Sequence, residues 1–173
     1  EFPARFLLVA AMNPCPCGEA GRPGYCRCSD AARQRYSRRL SGPLLDRFDL
    51  RVMVPRPSAD LLLAEGAGEP SVEVAYRVQR ARDAAGDRGV GCNAELTAEQ
   101  LRACSTTTAG AEAVLRHQLE RGGLSGRGLD RVRRVALTLA DLVGAQPILD
   151  ENKVALALSL RADASKLLTV VGG

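Results

Sequence analysis

A chain of 173 residues with 46% hydrophobic, 25% charged and 3% aromatic residues has the profile of a folded globular protein and excludes a disordered or fibrous one. At this length roughly 70% of the unfolded surface can be buried, so neither metal nor disulfides are required to hold the whole chain, and any metal serves a local loop. The net charge is +4, and of the 24 basic residues only Lys153 and Lys166 are lysines; a GC-rich coding genome explains that bias as readily as a need for guanidinium forks facing phosphates and carboxylates.

The first expected element is a strand. Phe6 to Met12 is a continuous apolar run, the pattern of a strand covered on both faces in a parallel α/β sheet. The other strand candidate is Phe48 to Val54, so the remaining strands of such a sheet are expected upstream, with the edge left here exposed or paired with another molecule. Between the two runs a loop rich in Pro, Gly and Cys spans Asn13 to Cys28. A helix follows from Ser29 or Asp30 to about Leu40, with Ser29 as its N-cap. Gly42 and Pro43 end it and open a short helical turn to Arg47, and Pro55-Arg56-Pro57 closes the region.

Beyond that point the pattern is helical only. Helices are expected from Ser58 to about Ala64 and from Ser71 to about Ala85, both opened by serine caps. Thr97-Ala98-Glu99-Gln100 has the form of a capping box and starts a short helix, and another runs from Gly110 to Arg121. The strongest periodicity lies behind the Ser125 cap, where Leu129, Val132, Val135, Leu139 and Leu142 recur at helical spacing. A last helix runs from Glu151 to about Arg161 behind an Asp150 cap, and Leu167 to Gly173 reads as a loose tail. There is no internal repeat. The expected fold is an α/β remnant over residues 1–56 (two strands, a cysteine loop and a helix), followed by an all-α domain over residues 57–173. No run approaches the ~18 apolar residues that span a membrane, and no basic-then-apolar leader precedes a cleavage site, so a cytoplasmic protein without a membrane partner is expected.

Four of the six cysteines crowd together as Cys15-Pro16-Cys17 and Cys26-Arg27-Cys28, with glycines and prolines between and within the pairs. Four thiolates can enclose one tetrahedral zinc, and glycines let a short loop turn tightly around it. All four positions would be filled by protein, which is a structural type of site with no place for water. Four reduced cysteines, or a disulfide pair, are the alternatives. Cys92 and Cys104 stand apart as ordinary thiols, and His117, the only histidine, lies in a polar helical stretch as a bystander.

The run from Phe6 through Asn13-Pro14-Cys15-Pro16-Cys17-Gly18, then Cys26-Arg27-Cys28, then Leu40-Ser41-Gly42-Pro43-Leu44-Leu45-Asp46-Arg47-Phe48-Asp49-Leu50, resembles the ComM/YifB branch of magnesium-chelatase-like AAA+ proteins. The later run Leu124-Ser125-Gly126-Arg127-Gly128-Leu129-Asp130-Arg131 through Ala140-Asp141-Leu142 is similar to that branch's C-terminal domain. The resemblance makes residues 1–56 the C-terminal part of an AAA+ core and residues 57–173 its helical lid. It implies that Asn13 is the sensor-1 residue that orients the attacking water, that Arg47 is an arginine finger reaching the nucleotide of the adjacent subunit, and that Arg127 is the sensor-2 arginine of the lid. The amide of Asn13 at the carboxyl end of a strand, and a permanently charged planar donor at a subunit edge, suit those roles. An arginine in the positive first turn of a helix, as expected for Arg127, is poorly placed for stability alone.

Neither a G-x-x-x-x-G-K-[ST] phosphate loop nor an apolar strand ending in paired acidic residues occurs in these residues, so the chain alone is expected neither to bind ATP firmly nor to hydrolyse it. ATP and magnesium belong to the longer parent, and structural zinc to the cysteine loop. The implied partners are other subunits of the same ATPase ring and, for the parent, DNA, since the resemblance points to a branch-migration helicase of natural transformation. Residues 22 to 51 carry eight arginines against Asp30, Asp46 and Asp49, with Glu19 just outside, which is compatible with phosphate contacts. A magnesium-chelatase motor subunit, in which no cysteine loop is expected, and a stand-alone zinc-binding interaction module are the other readings.

Overall fold

The computed structural model describes residues 6–20, 22, 24–64 and 68–161; the tail from Leu167 lies outside them. They fall into two compact units, one up to Ser41 and one from Gly42 onward.

The first unit holds the cysteine loop and α1 (Asp30–Ser37). The Ser29 hydroxyl accepts from the Ala32 backbone N–H at 3.3 Å, as the sequence signalled, and Asp30 complements the positive first turn. The helix ends earlier than expected, and turn hydrogen bonds such as Leu40 N–H to the Ser37 carbonyl carry the chain onward. No residue of α1 is fully buried, and among the described residues the buried apolar ones of this unit are Cys15 and Ala20. A unit with so little apolar interior needs another source of order.

The second unit is helical: α2 (Gly42–Leu45), α3 (Ala59–Leu63), α4 (Ser71–Asp87), a 3-10 turn at Asn93–Glu95, α5 (Ala98–Cys104), α6 (Ala109–Glu120), α7 (Gly126–Leu142) and α8 (Glu151–Ser159). Ser58, Thr108, Ser125 and Asp150 each accept a backbone N–H as N-caps. Thr97 and Gln100 exchange both bonds of a capping box. The cap expected at Ser71 is not formed: Pro70 takes that position without a side-chain bond, and Ser71 is the first helical residue.

The amphipathic α7 is the organising helix. Its buried positions are Gly128, Val132, Ala136, Leu137, Ala140 and Asp141, while Leu129, Val135 and Leu139 pack at the margin of the core. The expected apolar stripe therefore includes Val132 at its centre, but most of its large residues flank a line of small ones. Glycine and alanine at steps of four let neighbouring backbones approach closely, a signal that a search for large apolar residues misses. Leu96, Leu101, Leu115, Leu149 and Val154 close over this line.

Neither run expected as a strand forms a ladder. Residues 6–12 have no strand pairing, and 48–54 contributes a single parallel bridge between Arg51 and Arg161. A parallel strand is stable only between hydrogen-bonded neighbours, and beyond that one bridge the described residues supply none for these runs. Phe6, Leu7, Val9 and Val54 accordingly remain exposed. The ladder that does form is elsewhere: β1 (Thr106–Thr107) pairs in parallel with β2 (Ile148–Leu149), with Thr106 opposite Ile148. Two-residue strands carry no periodicity, so the sequence could not announce them. The class as a whole stands: a cysteine-loop region followed by a predominantly helical unit.

Candidate metal centre

The cysteine loop is built from tight turns. Gly18 donates its N–H to the Cys15 carbonyl at 3.0 Å with φ of +80°, a conformation that glycine adopts without penalty, and this turn folds Cys17 back beside Cys15. Further turns bond Arg22 N–H to the Glu19 carbonyl and Tyr25 N–H to the Arg22 carbonyl, with Gly24 at φ of +78°. They return the chain so that Cys26 and Cys28 face the first pair. All four sulfurs lie within 4.8 Å of one another. Cys15 Sγ is 3.3 Å from Cys17 Sγ and 3.8 Å from Cys26 Sγ, and Cys17 and Cys26 are 3.7 Å apart. A tetrahedron with Zn–S bonds of about 2.3 Å has edges of about 3.8 Å, so the sulfurs stand almost where zinc would hold them. All four are free thiols, which removes the disulfide alternative. Cys92 and Cys104 take no part in this group: their thiols face Glu95 and the Leu101 carbonyl.

The charge distribution also fits a cation. The Cys17 thiol is pulled down to about 6, chiefly by the Glu19 backbone N–H and then by hydrogen bonds from Cys15 and Cys28. Cys28 is pushed up to about 11, first by its bond to Cys17. Ionisation is thus favoured at Cys17 and opposed at Cys28, and a positive ion at the centre would favour it at both. Sign by sign, the depressed Cys17 favours the folded loop above its ordinary value near 9, and that contribution is lost as pH falls through about 6; the raised Cys28 contributes below its ordinary value, and that is lost as pH rises through about 11. In metal-free protein, iodoacetamide should label Cys17 faster than Cys28, with a rate midpoint for Cys17 near pH 6; equal rates at these two cysteines would contradict this charge pattern.

Around the cluster, Arg22 pairs with Glu19 at 3.2 Å and lies 3.8 Å over the exposed Tyr25 ring. Arg33 of α1 is raised first by Asp30, and the Cys26 and Cys28 sulfurs add to the effect.

The other sequence-predicted residues are placed as follows. Asn13, exposed at the entrance of the loop, lies over the first turn: a Cβ on Gly18 would be 3.5 Å from its side-chain amide. Arg47 follows α2, exposed, and donates to the Pro43 carbonyl at 2.7 Å instead of pairing with Asp46 or Asp49. Arg127 is the second residue of α7, exposed and without a side-chain partner among the described residues. His117 is exposed on α6.

Asp46 and Asp49, on either side of Arg47, are held by the helical unit. The Ser125 hydroxyl donates to Asp46 at 3.1 Å, and Arg131 pairs with Asp49 at 2.5 Å. Arg161, a residue that sequence reasoning passed over, donates to the Phe48 carbonyl at 2.6 Å and to Asp46 at 3.2 Å. It is 7% exposed, and burial followed by the nearby Arg51 holds it below the usual arginine value. Two short sequence runs eighty residues apart, one carrying Arg47 and the other Arg127, are thereby joined.

Residues 68–161 match the family described as magnesium chelatase, subunit ChlI C-terminal, and residues 1–62 match magnesium chelatase, subunit ChlI. An uncharacterised protein of Mycobacterium tuberculosis (strain ATCC 25618 / H37Rv) is 46% identical over 170 residues, 95% of this chain and 33% of the relative. Competence protein ComM of Haemophilus influenzae is 40% identical over 164 residues, 94% of this chain and 32% of the relative. YifB of Escherichia coli K12 is 38% identical over 162 residues, 93% and 32% respectively. The chain spans about a third of the length of these curated relatives. With both matched segments in chain order, and the relatives aligned across the cysteine loop and the helical unit alike, the chain belongs to the magnesium-chelatase-like AAA+ family and is homologous to the C-terminal portion of its ComM and YifB members.

Proposed function

We propose that this chain is the sensor, arginine-finger and lid portion of a ring-forming AAA+ ATPase that acts on DNA, with the cysteine loop holding a structural zinc. The observation that carries the reading is the juncture between the Leu45-Asp46-Arg47 turn and the start of α7, where Ser125 binds Asp46 and Arg161 binds both Asp46 and the Phe48 carbonyl. It fixes the backbone next to two exposed arginines. In the parent protein Arg47 reaches the γ-phosphate held by the neighbouring subunit, and Arg127 contacts the nucleotide of its own subunit when the lid closes. Both act by neutralising charge on the transferred phosphoryl group. Asn13 orients the attacking water. The phosphate loop and the magnesium site come from the rest of the parent, so residues 1–56 complete its core and residues 57–173 form its lid.

DNA as substrate rests on the resemblance to the ComM/YifB branch and on the arginine-rich span from residue 22 to 51, in which Tyr25 offers an exposed ring. A magnesium-chelatase motor subunit, acting in metal insertion into porphyrin, is the second reading and is supported by the family descriptions; the four-cysteine loop favours the first. In the full-length protein, Arg47→Ala should lower DNA-stimulated ATP hydrolysis by about 10³-fold or more while leaving nucleotide affinity within about twofold. An unchanged rate would remove the finger assignment, and ATPase stimulation by a porphyrin-chelatase partner instead of DNA would favour the second reading.

A further inference from the structure

Away from the cysteine loop, a cleft of about 350 Å³ opens between the end of α5, β1, α6 and α7, lined by Arg102, Ser105, Thr106, Thr107, Glu112 and Arg133 above Leu101. It lies on a different side of α7 from Arg127, because six residues of helix separate the two arginines by about 120° around the axis. Arg133 stands out among the arginines of α7: Arg131 is paired with Asp49 and Arg134 donates to the Leu96 carbonyl, but the Nε of Arg133 is buried with no acceptor among the described residues. A buried donor left unpaired is costly, and a guanidinium costs more than a neutral group. Arg102, exposed and also lining the cleft, likewise makes no ion pair with a described residue. The Ser105 hydroxyl spends its proton on the Leu101 carbonyl at 2.6 Å, whereas the Thr106 and Thr107 hydroxyls have no such internal bond. Two guanidinium groups, two available hydroxyl donors and one carboxylate, Glu112, give the cleft a net positive charge and a surplus of donors.

We infer that this cleft binds a phosphate group, with Arg133 and Arg102 as its two cationic arms and the threonine hydroxyls as neutral donors. The planar guanidinium fork matches the spacing of phosphate oxygens, and Arg133 and Arg102 both line the cleft. The phosphate comes either from a nucleic-acid backbone or from free inorganic phosphate, and the ligand class is independent of the nucleotide site proposed above.

Titration of the chain with inorganic phosphate and, separately, with a twelve-nucleotide single-stranded DNA, followed by amide NMR, tests the inference. Saturable shifts centred on Thr106, Thr107 and Arg133 are expected with at least one probe. Arg133→Gln should weaken that binding about tenfold or more, and Arg102→Gln, at an exposed position, should weaken it too even if the Arg133 variant folds poorly. Arg116→Gln, on the exposed side of α6, should leave it unchanged. Tighter binding of the oligonucleotide that falls steeply with salt assigns the phosphate to nucleic acid, and binding of inorganic phosphate alone assigns it to the free anion. Absence of shifts at the cleft with both probes, or binding unaffected by both arginine variants, overturns the inference.

Discussion

Replacing Asp141 by alanine should destabilise the helical unit by about 3–5 kcal/mol and lower its melting temperature by roughly 10–20 °C. Asp141 lies on the buried face of α7, where Arg88 grips both carboxylate oxygens at 2.6 and 2.7 Å. Its side chain is 2% exposed and that of Arg88 14%. Asn93 donates to the same carboxylate at 2.7 Å and to Thr138 at 3.1 Å, and it accepts from Arg88 at 3.0 Å. Removal of the carboxylate leaves the guanidinium charge uncompensated, with Arg88 keeping only the Asn93 oxygen and Asn93 only Thr138 as acceptors among the described residues, and this penalty exceeds whatever the pair adds to stability. Arg88→Ala should cost a similar amount for the converse reason. The double variant Arg88→Met, Asp141→Leu should therefore be less destabilised than the sum of its single changes, as measured by urea unfolding. Strict additivity would mean that the charges contribute separately and that the network is not a unit.

The second large effect concerns the first unit alone. Cys15→Ser should lower zinc affinity more than about 100-fold, since even residues that only orient metal ligands are worth about 10- to 100-fold. Cys15 is wholly buried, and its sulfur lies 3.3 Å from that of Cys17 and 3.8 Å from that of Cys26. Since Cys15 and Ala20 are the buried apolar residues described in that unit, loss of metal leaves little to order it. Limited proteolysis should then cut within residues 14–41, while the helical unit, whose core runs from Leu96 to Ala157, keeps its thermal transition. Resistance of the variant to cleavage, at the level of the parent chain, would show that the loop holds itself together without an ion.

Much of the helical unit is legible in the sequence because its signals are local. Serine, threonine and aspartate caps announced the starts of α1, α3, α5, α7 and α8, and each of them forms the expected backbone bond. The cysteine cluster was legible for the same reason: two C-x-C pairs linked by a glycine-rich turn leave few other ways to pack four thiols. The strands were not, because an apolar run states only that a strand would be buried among neighbours, and 6–12 and 48–54 lack those neighbours among the described residues. The Arg161 anchor and the Arg88–Asp141–Asn93 network depend on contacts across tens of residues. In sequence they are arginines and acids like many others, and only the fold distinguishes a buried pair from a solvated one.

The arrangement has a physical economy. Asp46 and Asp49 are occupied by Ser125, Arg161 and Arg131, so among the described residues Arg47 between them is left with the Pro43 carbonyl. The helical unit thus contributes the contacts that hold the turn, and the turn presents the arginine.

The most direct measurement is the metal content of the chain purified without chelator or added metal, determined by mass spectrometry together with titration of free thiols. The account predicts about one zinc per chain, with Cys15, Cys17, Cys26 and Cys28 protected from alkylation and Cys92 and Cys104 reactive. A metal-free chain in which all six thiols react freely would contradict it.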